Sequence, residues 1–182
     1  MPRWCNLPNL LTLSRLLLVP FVIQSILAGH HFRALALFAA AAVTDVMDGA
    51  AARRWGNTTP VGAYLDPIAD KCLLSGVFLA LAFARIIPWW VVAVVLGRDL
   101  YILLAVGGFL LLSPVRKFPP SVWGKISTFV QILTVVIWMA RDVLEVPVMG
   151  LLSSVILWPC LAFTVWSGLH YTWRGVQLAR AH

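Results

Sequence analysis

Four of the chain's seven acidic residues, Asp45, Asp48, Asp66 and Asp70, fall inside one stretch, TDVMDGAAARRWGNTTPVGAYLDPIADK at 44–71, of an otherwise apolar sequence. Asp45 and Asp48 are three apart and share a face of a helix, and Gly49 and Arg53 continue that stripe at four-residue steps from Asp45. Gly62, Asp66 and Asp70 follow at four-residue steps, again on one face. The segment RWGNTTPV between them can turn the chain, so two antiparallel helices would present two carboxylates each across a narrow gap. Charged carboxylates repel, and each costs roughly 2.5–3.5 kcal/mol at the middle of a membrane span. Protonation relieves that cost, and so do divalent cations. Oxygen-only ligands suit Mg²⁺ or Mn²⁺, and two cations shared by four Asp suit phosphoryl chemistry. Gly49 and Gly62 remove bulk where a phosphate must approach, and the Arg53 guanidinium can grip one bidentately. The plain alternative is a set of structural ion pairs with Arg53, Arg54 and Lys71. Four carboxylates on converging faces, in register with two glycines and an arginine, favour a functional site.

The elements that must position these residues are membrane helices. Of 182 residues, 61% are hydrophobic and only 12% charged, with a mean hydropathy of +0.89. A soluble domain carries about twice that charged fraction. Apolar runs of about 20 residues or more span a bilayer, and six occur, at 8–29, 33–54, 61–84, 87–112, 123–142 and 148–173. GHH at 29–31, GNTTP at 56–60, IIP at 86–88, SPVRKFPPS at 113–121 and EVP at 145–147 separate them. The expectation is an all-α integral membrane protein of six transmembrane helices in a single domain over 1–182. With both termini cytoplasmic, that side holds Arg3, Arg53, Arg54, Arg116, Lys117, Lys125, Arg174 and Arg180, and the other only Arg33, Arg85 and Arg141. The positive-inside rule selects this orientation and places the acidic cluster on the cytoplasmic face. Trp89, Trp90 and Trp173 sit at run ends, where indole rings anchor at the interface. The net charge of +7 reads as positive-inside residues facing anionic lipid, with no nucleic-acid partner. The first run superficially resembles a signal peptide, but the long ordered-looking segment before it argues against cleavage. Cys5, Cys72 and Cys160 lack metal-ligand spacing and imply no disulfide framework. His30, His31, His170 and His182 share no metal spacing and receive no role.

Asp45, Asp48, Gly49, Ala52, Arg53, Gly62, Asp66 and Asp70 reproduce, at every spacing, a pattern that resembles the signature of the CDP-alcohol phosphatidyltransferase family. The six spans agree with that family's six-helix architecture. The resemblance implies a chemistry that spacing alone does not. Two divalent cations, Mg²⁺ or Mn²⁺, hold the pyrophosphate of a CDP-linked lipid, an alcohol attacks the lipid-bearing phosphate, and CMP leaves. Carried over, Asp45, Asp48, Asp66 and Asp70 bind metal, Asp66 and Asp70 form the catalytic pair with Asp70 as general base, and Asp48, Gly49, Ala52, Arg53 and Gly62 line the CDP site. Spacing by itself singles out no base, because four coupled carboxylates share their titration.

NLPNLLTLSRLLLVP at 6–20 resembles the opening of the phosphatidylglycerophosphate synthase and cardiolipin synthase branches. Asn9, Thr12 and Arg15, three apart, form a polar stripe in an apolar helix. Asn9 and Thr12 are candidates for the CDP pocket, against helix capping by Asn9. Arg15 is a candidate for acceptor phosphate, against snorkelling to the interface. Arg98 and Asp99 lie within the fourth span. As adjacent residues they do not face each other, so they need not pair. Arg98, Arg116 and Lys125 are further candidates for an acidic acceptor, which a neutral choline or ethanolamine would not need. Glycerol 3-phosphate fits, and phosphatidylglycerol, giving cardiolipin, is the alternative. Arg98-Asp99, where glycerophosphate enzymes more often show Arg-Glu, leans towards the latter. The resemblance also implies a homodimer, CDP-diacylglycerol as donor, and a bacterial inner membrane with the site facing the cytoplasm. A reading of another class is a non-catalytic metal-ion transporter. Confinement of the acidic cluster to one membrane face argues against it.

Overall fold

The computed structural model describes residues 7–55, 60–112 and 121–180, with side chains over 13–44, 69–105, 107–108 and 121–177. Among the described residues there are six helices and no strand: α1 Leu7–Leu27, α2 His31–Trp55, α3 Pro60–Phe83, α4 Trp89–Leu112, α5 Val122–Leu144 and α6 Pro147–Arg180. Each coincides with an apolar run read from the sequence. The largest difference is at the end of α6, which continues seven residues beyond the expected 173. Hydropathy ends there, but nothing in TWRGVQLAR breaks a helix, so hydrogen bonding carries on. At about 1.5 Å per residue α6 runs roughly 50 Å, longer than the ~30 Å hydrocarbon core. Helices α5 over Val122–Leu144 and α6 over Pro147–Gln177 are long and apolar enough to cross a membrane.

The chain divides into two compact units. The first contains α1, α2 and α3. Here α1 packs against both of the others. Its inward face carries Arg15, Val22 and Ile26, α2 contributes Ala34, Phe38 and Ala41, and α3 contributes Leu73, Val77, Phe78 and Leu81. Gly76 lets α1 approach closely: a Cβ built there would lie 3.0 Å from Ile23 Cδ1 and 3.7 Å from Val19 Cγ1. Small residues at such crossings are how helices pack in lipid. Arg15 meets Asp70, whereas Val19 and Ile23 meet Gly76. Contacts therefore advance along both helices together, and α1 and α3 run parallel, with α2 as the return.

Left-handed residues end two of these helices. Gly29 (φ +74) closes α1, with the His30 N–H donating to Ser25 O at 2.9 Å. Arg85 (φ 58) closes α3, with the Ile86 N–H donating to Leu81 O at 2.8 Å. Both are Schellman arrangements. Glycine is the expected occupant, so the left-handed turn at Arg85 was not readable, although the break at IIP 86–88 was.

The second unit contains α4, most of α5, and α6. Its burial pattern inverts that of a soluble bundle. Ser121, Ser127, Gln131, Thr134, Ser153, Thr164 and Ser167 are buried, while Leu151, Val155, Trp158, Val165, Trp166 and Leu169 line the exposed side of α6. Apolar groups outside and hydrogen-bonding groups between helices are what a lipid solvent demands. Trp89, Trp90 and Trp173 are exposed, as expected of interfacial anchors.

Candidate active site

In the first unit, Asn9 and Thr12 belong to α1, Asp45, Asp48, Gly49, Ala52 and Arg53 to α2, and Gly62, Asp66 and Asp70 to α3. The helical register assumed for the two acidic stripes therefore holds: Asp66 and Asp70 are one turn apart on α3, and Asp45 and Asp48 three residues apart on α2. Of this set only Asp70 lies among the described side chains. Among the described residues no three His, Cys, Asp or Glu stand together, the side chains of Asp45, Asp48 and Asp66 being outside them.

What the structure adds is a partner for Asp70 from an unexpected helix. Arg15 Nη1 donates to Asp70 Oδ1 at 2.5 Å. The Arg15 side chain is 1% exposed and that of Asp70 45% exposed. The cation sits inside the α1–α3 seam, and the carboxylate stands at its opening. A buried Arg in an apolar helix is expensive to leave unpaired and takes a carboxylate partner when one is within reach. Sequence reasoning found both residues but not their pairing. The signal was there in outline: a single Arg in an apolar α1 marks the face that meets a polar neighbour.

In the second unit, Arg98 and Asp99 do pair, which their adjacency did not require. Arg98 Nη1 lies 2.7 Å from Asp99 Oδ1, and Arg98 Nε donates to Ser167 Oγ at 2.8 Å. The long Arg side chain folds back along its own helix, an option that Cβ directions alone do not reveal. Both side chains are largely buried, at 9% and 14%. The Arg98 side chain runs past two glycines at van der Waals distance: a Cβ at Gly124 would lie 3.6 Å from Arg98 Nη2, and one at Gly168 would lie 3.6 Å from Arg98 Cγ. Around the start of α5, the Ser121 N–H donates to Tyr171 Oη at 3.0 Å, and Ser121 Oγ lies 3.1 Å from His170 Nδ1. His170, assigned no role from the sequence, is thus part of this polar cluster. Lys125 is exposed one turn into α5. Arg116 lies outside the described residues.

A second polar group contains Gln131, which the sequence spacing had aligned with Lys125 and Thr128 rather than with Ser127. Gln131 Nε2 donates to Thr164 Oγ1 at 3.1 Å and to Ser127 Oγ at 3.4 Å, which ties α5 to α6. Ser127, Gln131 and Thr134 recur at four and three residues, a helical stripe that reads directly as the buried face of α5.

Comparison with known proteins agrees with this arrangement. The family model for CDP-alcohol phosphatidyltransferase matches residues 5–166, and the chain belongs to that family of membrane-lipid transferases. Among curated relatives, a probable phosphatidylglycerophosphate synthase of Mycobacterium tuberculosis is 34% identical over 96% of this chain and 84% of its own length. A CDP-diacylglycerol--glycerol-3-phosphate 3-phosphatidyltransferase of Aquifex aeolicus is 33% identical over 95% of this chain and 97% of its own. A CMP-forming cardiolipin synthase of Rattus norvegicus is 32% identical over 96% of this chain and 64% of its own.

Proposed function

We propose that the protein transfers a phosphatidyl group from CDP-diacylglycerol to glycerol 3-phosphate, releasing CMP, at a site formed by the α2 and α3 carboxylates. The observation that carries this reading is the eight-residue signature, Asp45 to Asp70, set on two helices of a family member whose relatives include glycerol-3-phosphate transferases matched along most of both chains. All six helices cross the bacterial inner membrane in one domain, with both termini and the acidic cluster on the cytoplasmic side, as the Lys and Arg distribution favours. The working form is a homodimer.

Two Mg²⁺ or Mn²⁺ ions fit the donor set. It is made of carboxylates alone, and the Asp70 carboxylate stands half-exposed at the edge of the seam, where a hard cation can be reached. Asp45, Asp48, Asp66 and Asp70 would hold them, and the bound ions supply charge neutralisation at the pyrophosphate. The remaining steps belong to the protein's own residues. Asp48, Gly49, Ala52, Arg53 and Gly62, with Asn9 and Thr12 from α1, bind and orient the CDP moiety. Asp70, seconded by Asp66, takes the proton of the acceptor hydroxyl as its oxygen bonds to the lipid-bearing phosphorus. The pyrophosphate P–O bond breaks and CMP departs with its electron pair. Arg98, Arg116 and Lys125 are kept as candidates for binding the phosphate of an acidic acceptor.

The rat relative and the Arg98-Asp99 pair keep phosphatidylglycerol as a second acceptor. One experiment separates them. Purified protein in detergent receives CDP-diacylglycerol and Mg²⁺ or Mn²⁺, with glycerol 3-phosphate, phosphatidylglycerol, inositol phosphate or serine in turn. CMP release is expected with glycerol 3-phosphate and not with Asp70→Asn. Release only with phosphatidylglycerol would move the protein to the cardiolipin branch, and the absence of release with every acceptor, from folded protein, would overturn the catalytic reading.

A further inference from the structure

Arg15 satisfies a demand that the reaction as proposed does not explain. It is nearly the most deeply buried charge that can be placed in the first unit, at 1% exposure, yet it points to a carboxylate that is 45% exposed. A group so enclosed does not touch a soluble acceptor arriving from outside. The residue such an acceptor can reach is Asp70. The backbone that carries Arg15 is also held: α1 packs along α3, with Val19 and Ile23, one and two turns beyond Arg15, seated on Gly76. Side chain and backbone are therefore both constrained, and the Asp70 Oδ1 contact at 2.5 Å inherits that rigidity. A carboxylate has four lone-pair directions on two oxygens, so a bond at Oδ1 defines the orientation of the group while leaving acceptor capacity.

We propose that Arg15 is a positioning residue, which sets the rotamer of the Asp70 carboxylate from inside the α1–α3 seam and acts on the reaction only through it. The inference rests on the reading of Asp70 as base and metal ligand. It replaces the direct contact between Arg15 and acceptor phosphate that spacing alone suggested. Lys retains the charge but offers a point donor on a flexible stem, whereas Arg holds a planar fork, so the two differ in how firmly they orient an oxygen.

The test compares Arg15→Met, Arg15→Lys and wild type as full-length protein in detergent, with two independent readouts. In steady-state kinetics, Arg15→Met is expected to lower kcat about 10- to 100-fold, the usual effect of losing a partner that orients a ligand side chain. KM for glycerol 3-phosphate should move less than about threefold, and Arg15→Lys should recover part of kcat. In Mn²⁺ titration followed by electron paramagnetic resonance, without substrate, Arg15→Met is expected to bind about tenfold more weakly. The sign is diagnostic. If Arg15 were only a nearby positive charge, its removal would tighten Mn²⁺, and that result would overturn the proposal. A tenfold rise in glycerol 3-phosphate KM at constant kcat would also overturn it, in favour of acceptor binding. So would a lowered melting temperature with kcat and Mn²⁺ affinity unchanged. If Arg15→Met does not fold, Arg15→Lys decides alone: because the charge is kept, weaker Mn²⁺ binding with a lowered kcat supports positioning, and no change in either overturns it. The Mn²⁺ arm needs no acceptor, so a failed choice of acceptor and a failed positioning role give different results.

Discussion

The Arg98–Asp99 pair can be dissected by a double-mutant cycle whose outcome the structure constrains. The two side chains are 9% and 14% exposed and joined at 2.7 Å, with Ser167 Oγ on the other side of the guanidinium. In Asp99→Asn, Arg98 keeps the serine but loses its counter-charge while remaining enclosed. Breaking a buried pair costs about 3–5 kcal/mol, and a charge near mid-span about 2.5–3.5 kcal/mol. The residual exposure places the expected loss at the lower end, about 3 kcal/mol. For a chain of this size that is a fall of roughly 6–12 °C in melting temperature. Arg98→Met removes the charge and keeps the stem's packing against Gly168. The double variant Arg98→Met/Asp99→Asn buries no charge at the site and should be more stable than Asp99→Asn alone, with a coupling of about 2 kcal/mol. The assay is thermal unfolding of all four proteins in one detergent, with glycerol 3-phosphate KM measured in parallel. Additive effects would refute the argument, since they would mean that the pair is solvated and its members act independently. A glycerol 3-phosphate KM that rises in every variant lacking Arg98, and not in Asp99→Asn, would show the guanidinium to serve the acceptor as well as the fold.

Three shorter predictions follow from glycine geometry and donor chemistry. Gly124→Ala should be less stable than Gly97→Ala by about 1–3 kcal/mol in thermal unfolding: both gain helix propensity, but a Cβ at Gly124 meets the Tyr171 ring at 3.2 Å while one at Gly97 meets nothing within 4 Å. Gly76→Leu should separate α1 from α3 and lower kcat through the Arg15–Asp70 contact, whereas Gly76→Ala, whose Cβ meets only the movable end of Ile23 at 3.0 Å, should retain most activity in the CMP-release assay. Chelation with EDTA should abolish CMP release, and either Mg²⁺ or Mn²⁺, but not Zn²⁺ at equal concentration, should restore it, because carboxylate oxygens are hard ligands.

Much of the architecture was legible because membrane helices announce their length. Each apolar run became one helix, and the punctuation at Gly29 and Pro88 fell where the chain turns. The breaks at IIP 86–88 and EVP 145–147 were legible as well; what was not is that Arg85 and Glu145, neither of them glycine, adopt the left-handed backbone there. The acidic stripes were legible as faces because the helical period is fixed, but which helix would stand beside them was not. The sequence set α2 and α3 facing each other across the acidic stripes, and that α1 packs on both of them was not legible.

That last difference has a physical origin. In water, the apolar face of a helix identifies its buried side. In lipid that signal disappears, because Leu151, Trp158 and Leu169 are exposed while equally apolar Val91, Val95 and Val135 are buried. The information moves to the polar residues, which lipid excludes and which must therefore face another helix. Ser127, Gln131 and Thr134 mark the inner face of α5, and Ser167 marks the part of α6 that receives Arg98. By the same rule Arg15 identifies the inner face of α1, and a buried guanidinium requires a carboxylate on whatever that face meets. Four carboxylates stand on the neighbouring helices, and the structure gives Asp70 as the one that Arg15 meets. Burial of the guanidinium requires a carboxylate opposite it, and only the packing of α1 on α3 says which one that is.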